Sequence, residues 1–151
     1  MKSAGLILEK IARMTRAMRL RRHVQAVADA VGAMSPAELL QLRDFMASLA
    51  AAAGDDASER GAEPRSHRPD DILHALGAMS IERQLNSDSA IVRIRYIARW
   101  LMQAIHLTVG VDDPGVRAIY RKAVAIVRVV QSTSAPSTQR SWFIARDKKA
   151  S

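Results

Sequence analysis

Between Gly5 and Val31 the chain holds two apolar stripes that one straight helix cannot bury in one core. Ile7, Ile11, Met14 and Met18 recur at helical spacing, and Leu20, Val24, Val27 and Val31 repeat that spacing further on. At about 100° per residue the two stripes are centred roughly 150° apart. Either the helix breaks near Met18, or it is continuous and shows its apolar faces to two different neighbours. Arg21 and Arg22 fall beside the continuation of the first stripe, and Arg13 falls on that of the second. Within one turn, a face that was apolar becomes cationic. A helix lying on a membrane keeps its apolar face unbroken, so this pattern argues against a membrane foot.

A length of 151 residues bounds the chain to about one domain. It has no cysteine, which excludes disulfide scaffolds, thiolate nucleophiles and cysteine-ligated metal centres. Such a composition fits a reducing and a redox-indifferent compartment alike, and the expected location is the cytoplasm. Aromatic residues make up 4% of the sequence while Ala, Val, Leu, Ile and Met dominate, so helix packing is favoured over a β-sandwich. No run reaches the roughly 18–20 apolar residues of a membrane span. "GLIL" at residues 5–8 is cut short by Glu9 and Lys10, too brief for a signal-peptide core.

The rest of the chain punctuates itself as helices. "VGAMSPAE" offers Gly32 as a helix end, Ser35 as N-cap, Pro36 as first helical residue and Glu38 as the reciprocal carboxylate of a capping box. The helix that follows is expected from Pro36 to about Ala53, ending at Gly54. Residues 54–69 mix both charge signs with Gly, Pro and Ser and read as a mobile linker. Asp70 or Asp71 then caps a short helix through Met79. Ser87 or Asp88 introduces a helix over about 89–109 that carries Ile91, Ile94, Ala98, Leu101, Ile105 and Thr108, the expected central core helix. Asp113 before Pro114 starts the last one, with Val116, Ile119, Ala123, Ile126 and Val130 aligned. The expected fold is all-α, a small bundle of four to five helices within a single domain over 1–131. It comprises a helical hairpin over 5–53, the linker and a second helical unit over 70–131, followed by a flexible basic tail over 132–151.

Enzyme signatures are missing. There is no GxSxG, no HExxH, no phosphate loop and no dinucleotide fingerprint. The four histidines share no helical face with one another, and Asp112 with Asp113 reads as helix capping. No catalytic residue, metal site or cofactor is therefore expected.

Charge is the more informative feature. The net charge is +8, and 18 of the 23 cations are arginine. Arg13, Arg16, Arg19, Arg21 and Arg22 crowd the first helix, Arg95 and Arg99 share an arc on the central helix, and Arg117, Arg121 and Arg128 share another on the last. These stripes carry no interleaved acids, although solvated helices ordinarily alternate charge sign. Uniform positive charge calls for an acidic macromolecule, protein or nucleic acid. Apolar anchors for a protein partner are expected at Ile7, Ile11, Met14 and Met18, with Tyr96, Trp100 and Trp142 as aromatic candidates, and self-association is the other way to cover the first stripe. The expected function is that of a non-catalytic helical adaptor or regulator. The alternative is a sequence-independent nucleic-acid-binding accessory protein whose arginines neutralise phosphates.

Overall fold

The computed structural model describes residues 2–60 and 68–133, with side chains over 4–54 and 68–133. Six helices occupy them: α1 (Lys2–Gly32), α2 (Pro36–Arg60), α3 (Pro69–Met79), α4 (Glu82–Leu85), α5 (Ala90–Thr108) and α6 (Pro114–Ser132). No strand occurs among the described residues. The protein is an all-α bundle.

Local chemistry sets most of the helix ends. The capping box forms as the sequence predicts: the Glu38 amide donates to Ser35 Oγ at 3.2 Å, and the Ser35 amide donates to Glu38 Oε1 at 3.3 Å. Asp113 caps α6 by accepting from the Val116 amide at 3.1 Å, with Pro114 at the first helical position. Gly110 supplies the left-handed φ of +75° that turns the chain between α5 and α6. Three expectations are corrected. Ser89 rather than Ser87 or Asp88 caps α5, its hydroxyl accepting from the Val92 amide. Asp70 and Asp71 lie in the first turn of α3 rather than at its cap, because Pro69 takes the first position and Arg68 is the cap residue. Gly54 does not end α2, which runs on to Arg60. A glycine inside a helix costs roughly 1 kcal/mol against alanine, which lowers stability locally without stopping propagation. Of the expected linker, 54–60 is therefore helical, while 61–67, like the tail after Thr133, lies outside the described residues.

Packing joins these helices through one buried cluster that draws on all six. α5 and α6 lie side by side, α1 packs along α6 and against α3, and α2 packs along α5 and part of α6. α1 and α2 barely touch each other. The expected hairpin over 5–53 has its turn, but its two arms rest on the α5 and α6 pair instead of on one another. α1 and α6 run in the same direction: Ala17 lies beside Gly115 and, further along both helices, Lys122 donates to Gln25. The short α4, which no sequence period announces, buries Leu85 and leans on α5.

Candidate functional site

α1 is an unbroken helix of 31 residues, so the break near Met18 does not occur. Its outer half contains Ala, Leu, Met, Arg, Lys and Glu, all strong helix formers, and one glycine. Its inner half is anchored by Leu20, Val24, Val27 and Val31, all buried. Removing each of these from water stabilises the fold by roughly 1.5–3 kcal/mol. The first stripe points the other way. Ile7, Ile11, Met14 and Met18 are 57%, 53%, 64% and 52% exposed. Leu6 and Leu8 are exposed as well, which widens the apolar surface of α1 beyond the stripe. These two residues are legible in "GLIL", whose three consecutive large apolar side chains no single helix face can bury. Met14 and Met18 also border a shallow hollow of about 200 Å³ formed with Ala17, Arg21, Leu73 and Gly115.

The arginines divide by their surroundings. Arg13 makes a two-pronged pair with Asp70 of α3, Nε to Oδ1 at 2.7 Å and Nη2 to Oδ2 at 3.0 Å. That hydrogen-bonded pair lowers the Asp70 pKa and raises that of Arg13. Arg117 pairs with Asp112 at 2.6 Å, and the Arg95 guanidinium lies 6.0 Å from the centre of the Phe45 ring. Arg16, Arg19, Arg21 and Arg22 have no carboxylate within ion-pair distance among the described residues, and the same holds for Arg99, Arg121 and Arg128. They do not form one surface. Arg95 faces α2, while the α1 arginines lie on the helix that packs along α6 and α3.

Arg16, Arg19 and Arg22 do converge on one feature. They line a groove of about 770 Å³ enclosed by α1, α3 and α4, whose floor includes Leu20, Leu73 and Leu85. Sequence periodicity could not find it, because half of it is built by α3 and α4, whose position relative to α1 is a tertiary matter.

Tyr96 and Trp100 are corrected as surface anchors: both are buried, at 6% and 2% exposure. Their polar atoms explain how burial is tolerated. The Tyr96 hydroxyl accepts from the Ile81 amide at 2.8 Å, donates to the Met79 carbonyl at 3.1 Å and shares a 2.8 Å hydrogen bond with His23 Nε2. The Trp100 indole donates to Ser80 Oγ at 3.2 Å. The His23 ring, itself buried, stands 4.8 Å from that of Trp100. Burial depresses the His23 pKa, favouring the neutral imidazole, and pushes that of Tyr96 up to about 12. This network joins α1, α5 and the end of α3, and its residues belong to the core. Trp142 lies outside the described residues.

Among the described residues, no group of three His, Cys, Asp or Glu side chains is arranged to hold a metal ion, and no helix is long and apolar enough to cross a membrane. No protein-family model matches this chain, and no curated protein or solved structure is significantly similar to it.

Proposed function

We propose that this protein is a non-catalytic helical adaptor or regulator that captures an acidic protein partner on the outer half of α1. The observation that carries this is the solvent-facing stripe of Ile7, Ile11, Met14 and Met18 on a helix whose other half is firmly anchored in the core. An apolar stripe at these spacings is the usual surface for pairing with a second helix. The partner's charge follows from what borders the stripe. Arg19, Arg21 and Arg22 flank its inner end with no carboxylate partner among the described residues, and the chain's net charge of +8 opposes pairing with a second copy. A helix carrying carboxylates beside its apolar residues fits both features. We propose a cytoplasmic location, with which the cysteine-free sequence is compatible.

The test is the double substitution Ile11→Ser with Met14→Ser, followed by circular dichroism, light scattering and co-purification at low and high salt. The expected result is an intact helical fold that no longer holds its partner. Loss of the fold would make the stripe ordinary core and sink the proposal. Light scattering also reports a concentration-dependent dimer, which would replace the acidic partner with a second copy. The nucleic-acid reading has its own support in Arg16, Arg19, Arg21 and Arg22, which have no carboxylate within ion-pair distance among the described residues. It expects binding to DNA and RNA alike, steeply weakened by salt and insensitive to the Ile11 and Met14 substitutions.

A further inference from the structure

The groove between α1, α3 and α4 combines features that the stripe lacks. It is concave, and its volume of about 770 Å³ lies within the roughly 300–1,000 Å³ typical of small-molecule sites. Its floor is apolar, with Leu20, Leu73 and Leu85 all under 5% exposed. One wall is cationic. Arg16, Arg19 and Arg22 follow each other at three-residue steps, so their backbone positions span about 9 Å along the helix axis at 1.5 Å per residue. That length suits one phosphate group or a pyrophosphate, and it is short for an extended polyphosphate backbone. The facing wall is low at Gly77, where a side chain would meet nothing within 4 Å. Glu82 is the one carboxylate in the lining, against three arginines.

We propose that this groove binds a small phosphate-bearing amphiphile, with its phosphate held by Arg19 and Arg22 and its apolar body laid on Leu20, Leu73 and Leu85. Arginine is suited to the task because its planar fork meets two phosphate oxygens at once and stays charged at any physiological pH. A phosphate monoester carries close to two negative charges at neutral pH, against one for a carboxylate, so three arginines favour the former. The apolar floor separates this ligand from inorganic phosphate, which leaves the leucines uncovered. Glu82 weakens the site as it stands, and its charge sets a sign that can be measured.

The experiment is calorimetric titration of the full-length chain with hexyl phosphate, hexanoate, hexanol and a thymidine oligonucleotide, using wild type, Arg19→Ala with Arg22→Ala, and Glu82→Gln. Circular dichroism confirms that each variant is folded. Hexyl phosphate is expected to bind saturably at one site, at least tenfold more weakly in the double arginine variant and severalfold more tightly in Glu82→Gln, with hexanol showing no binding. Absence of saturable hexyl phosphate binding, or binding indifferent to all three substitutions, overturns the proposal. Equal affinity for hexanoate would make the site a carboxylate site. An oligonucleotide that binds through Arg19 and Arg22 while hexyl phosphate does not would transfer the groove to nucleic acid.

Discussion

The two halves of α1 are alike in composition and opposite in circumstance. Residues 17–32 bury Ala17, Leu20, Val24, Val27 and Val31 where α1 packs on α6 and α3, whereas residues 4–16 expose every side chain, including four large aliphatic ones and a methionine. Both halves are helical because backbone hydrogen bonds propagate through good helix formers regardless of what the outer face meets. The inner half is held by burial and the outer half by continuity with it. The seam between them is marked by Arg13, whose pair with Asp70 ties α1 to α3. A stretch that needs no core for its own stability, yet keeps an apolar stripe in water, is available for another molecule to cover.

Substitution at matched positions sharpens that contrast. The largest effect is expected at Leu20→Ala, where a 3% exposed side chain leaves a cavity, with a loss of about 2–5 kcal/mol in urea denaturation. Ile11→Ala, at 53% exposure, should change stability by less than about 0.5 kcal/mol. If the two losses proved equal, the halves would not differ in the way their burial indicates.

The buried network next to the inner half comes second. Tyr96→Phe removes the hydroxyl that serves the Ile81 amide and His23, leaving buried polar groups without a partner, at a cost of about 1–3 kcal/mol. The same network predicts a pH dependence. His23 titrates at a lower pH in the folded protein than its unfolded value of about 6.5. Between the two values the unfolded chain binds the proton and the folded one does not, so stability present above pH 6.5 is lost as the pH falls below it. Tyr96 and Glu82 face the ring, and the Glu82 charge moderates the effect without reversing it. Denaturation midpoints of wild type and His23→Gln between pH 5 and 8 check this: the variant should show the shallower fall toward acid.

The seam itself should matter less. Arg13 and Asp70 are 44% and 51% exposed, so Arg13→Ala should cost no more than about 1 kcal/mol, an effect that shrinks further in added salt. Smallest of all is reversal of charge at Arg19, Arg21 and Arg22 together. None has an acidic partner among the described residues, so the melting temperature should stay within a few degrees of wild type while capture of an acidic partner is lost.

How far the sequence foretold these features depends on whether their cause is local. The Ser35 and Glu38 box and the Asp113 cap with Pro114 were readable because each involves groups three residues apart. The misaligned stripes of α1 were readable because helical geometry alone places them. Tyr96 and Trp100 border the core stripe of α5, so the sequence leaves them open as surface anchors or packed residues, and periodicity cannot say whether another element covers that border. It is covered by His23 of α1 and by Met79, Ser80 and Ile81 from the end of α3 onward, which also satisfy the aromatic polar atoms. α4 is not legible in the sequence because four residues are too few to show a period.

Helix identity, the caps and the two-faced character of α1 were determined by the sequence itself, since all follow from interactions within a turn or two of the chain. Which of α1's faces became core, that α1 and α2 part to lie against α5 and α6, and that three arginines meet three leucines in one groove were decided by tertiary structure. Those outcomes depend on burying the largest total apolar area among helices distant in sequence, and no local spacing records which distant helix will supply the other wall.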